Sequence, residues 1–316
     1  MTFSKLRFPS AMLLALVGAL SAPAVARAES NDYSLPWQLR PVMVGTEARL
    51  DGMLAAFNDS NGNLGIVSTS GLTISYQVTK EIAPMLRLGA VRNNAPGAAL
   101  DGNSFANPLL GATYARDLGP FKLALFGGAT LPLGTGGGDD PNPKAARANV
   151  AAATARPADG TMYAVNYLTP MVGADLAWVS HGFTAQVEAT LQELVRVRGS
   201  NSASSLDQFR TNAAIGLHVG YFIGSHFSVG SDLRYERWLS HPTTQNAATG
   251  EQVPVPNADM DVLTVAAGAR LHFRLGEHAS IHPGLSLMRG FDSRGFSAPL
   301  VMSETTAVQV DLPVEF

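Results

Sequence analysis

Apolar residues return at every second position along most of this 316-residue chain. The last nine residues show it most plainly. Val308, Val310, Leu312, Val314 and Phe316 alternate with Gln309, Asp311, Pro313 and Glu315. A period of two belongs to a strand with one apolar face and one polar face. The same alternation predicts twelve strands, at 37–44, 68–79, 85–93, 105–116, 121–132, 163–179, 183–196, 209–222, 227–238, 260–274, 280–288 and 305–316. Most span about nine to fifteen residues, enough for a tilted membrane-crossing strand, which needs about nine to eleven. Strands of soluble sandwiches average about five or six. After residue 28 no run of 18 apolar residues occurs, so the pattern offers no transmembrane helix.

The connections alternate in length. Tight turns are predicted at 80–84, 117–120, 180–182, 223–226 and 276–279, and long polar segments at 45–67, 94–104, 133–162, 197–208, 239–259 and 289–304. The prediction is an all-β fold, a transmembrane antiparallel up-and-down barrel with short periplasmic turns and long extracellular loops. Away from the strand ends, the charges lie opposite each strand's apolar face. Lipid imposes that segregation, because an Arg or Lys on the lipid face at mid-membrane costs about 2–4 kcal/mol. Tyr114, Trp178, Tyr221 and Phe273 stand just before tight turns, and Phe121, Phe183 and Phe227 just after them. In a closed barrel these would form an aromatic ring at the periplasmic membrane surface. Tyr163, Tyr235 and Trp238 would begin a second ring at the other rim.

Composition agrees with this. Charged residues are 15% of the chain, against about 25% in a soluble domain. The absence of cysteine excludes disulfides and thiolate chemistry and suits export through an oxidising compartment. Residues 1–28 read as a signal peptide: Lys5 and Arg7, an apolar run from Ala11 to Leu20, and an Ala26-Arg27-Ala28 cleavage site. The mature barrel domain is then 29–316. Cleavage removes three of 22 basic residues and leaves all 25 acidic ones, moving the net charge from −3 to −6. Nothing there invites nucleic acid.

The closing stretch from Val308 to Phe316 resembles the final strand of Gram-negative outer-membrane β-barrel proteins, of the porin or small-solute transporter type. The resemblance implies outer-membrane localisation, with lipid and lipopolysaccharide around the barrel. It also implies recognition of the strand ending in Phe316 by the barrel assembly machinery. Pro313 departs from the usual pattern, since it removes a ladder donor. A monomer is expected, because trimeric porins usually have more strands.

The pore-lining candidates are Arg40, Arg87, Lys122, Asp175, Glu188, Arg210, Asp232, Arg234, Glu236, Arg270, His272 and Arg274. With Asp311 and Glu315 added, basic and acidic residues nearly balance. That fits a salt-bridged network in a narrow lumen, or a constriction with basic and acidic walls that orients a polar solute. Pairing of the strands at 227–238 and 260–274 would bring Asp232, Arg234 and Glu236 beside Arg270, His272 and Arg274 as an eyelet. The segment 133–162 is read as an external, mobile loop with an alanine-rich stretch from Lys144 to Ala155 that could form a short helix, the alternative being that it folds into the pore as a constriction. Asp59, Asn61 and Asn63 have calcium-loop spacing, but Leu64 and Ser70 stand where the glycine and glutamate are needed, so an ordinary polar loop is expected.

The expected function is passive passage of an unidentified small solute, without cofactor or enzymatic activity. One alternative is a structural or adhesive surface barrel without transport. Another is a lipid-acting hydrolase, which would need a serine beside a histidine or a metal at the lipid boundary. His218, His272 and His282 are read as lumen-facing, and no G-x-S-x-G motif occurs.

Overall fold

The computed structural model describes residues 33–58, 64–94, 101–140, 142–199, 208–240, 243–245, 252–254, 261–276, 279–292 and 304–316. Twelve long strands form the wall: β1 (Glu47–Asn58), β2 (Leu64–Ser75), β3 (Ile82–Asn94), β4 (Leu109–Leu118), β5 (Phe121–Thr130), β6 (Tyr167–Ser180), β7 (Phe183–Arg196), β8 (Phe209–Ile223), β9 (Phe227–Trp238), β10 (Val262–Leu271), β11 (Gly284–Asp292) and β12 (Glu304–Glu315). Each pairs antiparallel with its neighbours, and β12 returns to β1 with Glu47 opposite Glu315 and Ala56 opposite Thr306. Closure removes the free edges and satisfies the backbone, as a hydrocarbon surround requires. A short strand, Gly102–Phe105, pairs with the outer part of β3. The hairpin Phe273–Leu275 with Ala279–Ile281 prolongs β10 and β11 at the turn end.

The barrel is apolar outside and polar inside. On β8, Ile215 is 59% exposed on the outer face while inward-facing His218 is fully buried. The aromatic ring forms at the turn end: Phe121 lies opposite Trp178 and Phe183 opposite Tyr221. The Trp178 and Phe183 rings are 5.6 Å apart. Pro313 sits where the β11–β12 ladder lapses, and its carbonyl still accepts from His282 N at 2.9 Å.

Three expectations need correction. First, residues 37–44 are not a wall strand. They belong to an irregular segment, 33–46, that enters the lumen from the turn end and leads into β1 at Glu47. Pro36 and Pro41 deny it a regular ladder, and its alternating apolar side chains face an inner core instead. Tyr33 and Val42 are buried there against Ala115, Ala124 and Ala177. Second, the true first strand lies within the segment read as a loop at 45–67. Its inward residues include apolar Met53 and Ala55, which blur the period.

Third, the 133–162 segment is not an external loop, because it folds back into the barrel from the loop end. Its helix α1 (Pro143–Ala155) has proline in the first turn, and the Asn142 side chain caps it by accepting from Lys144 N at 3.0 Å. Ala145, Ala148, Ala152 and Ala155 recur at helical spacing and are buried. That face joins a core with Met53, Val67, Val91, Ala106 and Ala307 on the wall. A short helix, α2 (Gly160–Tyr163), follows, so Tyr163 is buried in the lumen and not in an outer aromatic ring. The calcium-like residues Asp59, Asn61 and Asn63 lie outside the described residues, as does 1–28.

Candidate functional site

The lumen holds two insertions and a chamber between them. The turn-end segment is held by its backbone. Asp232 Oδ2 on β9 accepts from Trp37 N at 2.8 Å and Gln38 N at 2.6 Å. Glu188 Oε2 on β7 accepts from Arg40 N at 2.7 Å, and Thr184 Oγ1 accepts from Ser34 N at 2.9 Å. Gln186 Nε2 donates to the Arg40 carbonyl at 2.7 Å. The Tyr33 hydroxyl donates to Gln186 Oε1 at 2.6 Å. Burial raises the Tyr33 pKa far above its ordinary value, so the phenol stays a neutral donor. The wall thins to glycine where the segment touches it. A Cβ on Gly216 would stand 2.9 Å from Leu39, and one on Gly268 would stand 2.7 Å from the Trp37 ring.

The loop-end insertion is held by ion pairs. Arg156, directly after α1, pairs with Asp51 of β1 and with Asp159. Arg87 of β3 bridges the same two carboxylates, at 3.3 Å from Asp51 and 2.7 Å from Asp159. Burial alone would lower the Arg156 pKa, but Asp159 and Asp51 outweigh it and raise it. Burial also pushes the Tyr163 phenol up to about 12.

The remaining luminal charges form two further groups. Arg40 lies 3.5 Å from both Asp175 and Glu188, while Arg234 reaches Glu188 at 2.6 Å and Glu236 at 2.8 Å. Asp311 joins Arg49, 2.7 Å away, to Arg270, 2.6 Å away. Six arginines (40, 49, 87, 156, 234 and 270) thus face six carboxylates (51, 159, 175, 188, 236 and 311).

The predicted eyelet does not assemble as one cluster. β9 and β10 do pair, but their antiparallel register sets Asp232 opposite Ala266, Arg234 opposite Thr264 and Ser228 opposite Arg270. Asp232 instead meets the inserted segment and His218 Nδ1, 2.6 Å away. His272 lies at the turn end, with Nε2 2.8 Å from Ser228 Oγ and Nδ1 2.9 Å from His282 Nδ1. Arg274 is exposed on the short hairpin beyond β10, outside the lumen. Lys122 pairs with Asp117 at 2.8 Å near the turn end, and Arg210 stacks 4.2 Å from the Trp238 ring near the loop end. The chamber is lined by Arg40, Arg87, Glu188 and Arg234 of the predicted set. It also takes Glu47, Arg49, Asp51, Arg156 and Asp159, from segments read as loops.

Ser280 Oγ lies 2.9 Å from His282 Nε2, but Glu315 approaches that same nitrogen at 3.6 Å. An acid that orients a catalytic histidine contacts its other nitrogen. Here that nitrogen faces His272.

No protein-family model matches the chain, and no curated protein matches it. Among solved structures, an outer membrane channel from Pseudomonas putida F1 superposes with a TM-score of 0.52 at 14% identity, covering 92% of this chain and 100% of that one. The NanC porin gives a TM-score of 0.48 at 9% identity, over 85% of this chain and 98% of its own. The KdgM porin gives 0.42 at 8%, over 85% and 99%. What the chain shares with the Pseudomonas putida channel is the fold, an outer-membrane β-barrel.

Proposed function

We propose that this outer-membrane barrel is a gated channel for passive passage of small solutes, closed in the present state by its two insertions. The observation that carries the reading is how the insertions are seated. The turn-end segment rests largely on polar acceptors of the wall, chiefly Asp232 and Glu188. Polar seating of this kind can be exchanged for water at modest net cost, about 0.5–1.5 kcal/mol per hydrogen bond. A chamber already lies between the two insertions, so moving them would join it to both sides. The Pseudomonas putida protein of like fold is described as an outer membrane channel, which favours the same role.

The test is single-channel recording of the chain from Glu29 onward, refolded in detergent and inserted in a planar bilayer. Wild type should show rare, brief steps, and Asp232→Ala longer and more frequent ones. If both fold, shift on heating as barrels do, and never conduct, the channel reading falls. The filled lumen would then favour a structural surface barrel.

A further inference from the structure

We infer that the chamber is a binding site for one ring-sized, mostly apolar molecule carrying an amine, with the amine directed at Glu47. The inference rests on the channel reading for its purpose but on the chamber alone for its chemistry. Of the ten methionines in the sequence, six line this one cavity: Met43, Met53, Met85, Met162, Met171 and Met288. Met171 and Leu109 pack on Phe126 to complete an apolar wall. Methionine is flexible and polarisable, so such a wall adapts to varied apolar shapes. The cavity volume is about 160 Å³. An apolar cavity of about 150 Å³ holds a benzene.

The polar wall supplies the sign. The six luminal arginines already face six carboxylates, so none is left over for an anion. Glu47, at the start of β1, lines the same cavity, and its carboxylate makes no hydrogen bond or ion pair among the described residues. It stands outside the six pairs, as Asp232 does, but Asp232 is taken up by Trp37 N, Gln38 N and His218. Arg49, the cation that acts most strongly on Glu47, is held by both oxygens of Asp311 at 2.8 and 2.7 Å. A ligand ammonium would complete the pairing with a charge-assisted hydrogen bond.

The test uses the folded full-length barrel with methyl-labelled methionine, titrated with benzylamine, toluene and benzoate and followed by NMR. Benzylamine should shift the chamber methionine resonances at a Kd about tenfold or more below that of toluene, and benzoate should bind weakest. Glu47→Gln should erase the preference for benzylamine while leaving toluene binding unchanged. Glu47→Ala checks that the loss follows the charge and not one variant's folding. Equal affinity for the three probes, a preference for benzoate, or no shifts with any probe would overturn the inference. None of these outcomes bears on conductance, so the site and the channel can fail separately.

Discussion

The two insertions fill the same lumen by opposite means. The segment 33–46 offers its backbone, and the wall supplies the acceptors, Asp232, Glu188 and Thr184. The 133–162 insertion offers side chains: Arg156 toward Asp51, and small alanines against the wall. Apart from Arg40 and Tyr33, whose side chains also reach the wall, a segment seated by its backbone tolerates changes in its own side chains better than changes in the wall that receives it. A side-chain-held one is sensitive on both partners. The first resembles a seat built into the strands, and the second a latch carried by the moving part.

The largest effect should follow Asp232→Ala, which strands Trp37 N–H, Gln38 N–H and His218 without their acceptor. Each orphaned buried donor costs about 1–3 kcal/mol. The open fraction in planar-bilayer recordings should rise by about a hundredfold, since about 2.8 kcal/mol corresponds to that factor. An unchanged open fraction would mean that the turn-end segment does not gate.

Arg156→Ala removes the loop-end latch and leaves Arg87 to hold Asp51 and Asp159 alone. We expect about 2–3 kcal/mol of loosening, below the 3–5 typical of breaking a buried pair outright. The chain has no cysteine, so Ala152→Cys, at a fully buried position of α1, can report on it. Thiol labelling from the loop side should become faster in the Arg156→Ala background. The open fraction should also rise, by about thirtyfold or more, because the path is open only when both insertions have moved and the two probabilities multiply. Combining Arg156→Ala with Asp232→Ala should raise conductance more than the two single effects added. Strict additivity would argue against two barriers in series.

These contrasts also explain what the sequence made legible. Lipid acts on every outward side chain alike, so eleven of the twelve strands, the turns and the aromatic ring can be read from the outer face; the count of twelve comes out only because 37–44 stands in for β1, Glu47–Asn58. The lumen leaves no such record. Its partners are set by register and by which segment turns inward, and both depend on closure of the whole barrel. Asp232 and Arg270 were visible as inward charges, but pairing β9 with β10 places them apart. Arg49 and Asp51 were hidden because β1 alternates Asp with Met and Ala on its inner face, where α1 needs small and apolar neighbours. The alternation at 37–44 was real, but it addressed an inner core. One signal was available: Pro36 and Pro41 within six residues fit a wall strand poorly. The abundant glycine of the inner faces was another, since several of those positions are where the inserted segment presses on the wall.

Gly216→Val tests that pressure. An added Cβ there meets only Leu39 of the inserted segment, at 2.9 Å, and no wall atom among its nearest contacts. Overpacking of this kind costs about 1–3 kcal/mol, and here it should fall on the seat and not on the barrel. Heat-modifiable folding should be unchanged while the open fraction rises about tenfold. Equal loss of barrel stability would mean that segment and wall fold as one unit.

The smallest effect is expected from Tyr33→Phe. The hydroxyl donates to Gln186 and accepts from Val42 N at 3.2 Å, tying the entering limb of the segment to the returning one. Its removal leaves one buried N–H and one amide oxygen unpaired, and the loss should be about 1–2 kcal/mol. The contacts at Asp232 and Glu188 are untouched, so the segment should stay seated and open only a few times more often. Amide exchange should separate the limbs more clearly than conductance. Val42 N–H should lose protection, while Trp37 and Gln38 N–H, still bonded to Asp232, should keep theirs. If all three lost protection together, the segment would move as one rigid piece. The distinction between a seat made of independent acceptors and a single latch would then have to be given up.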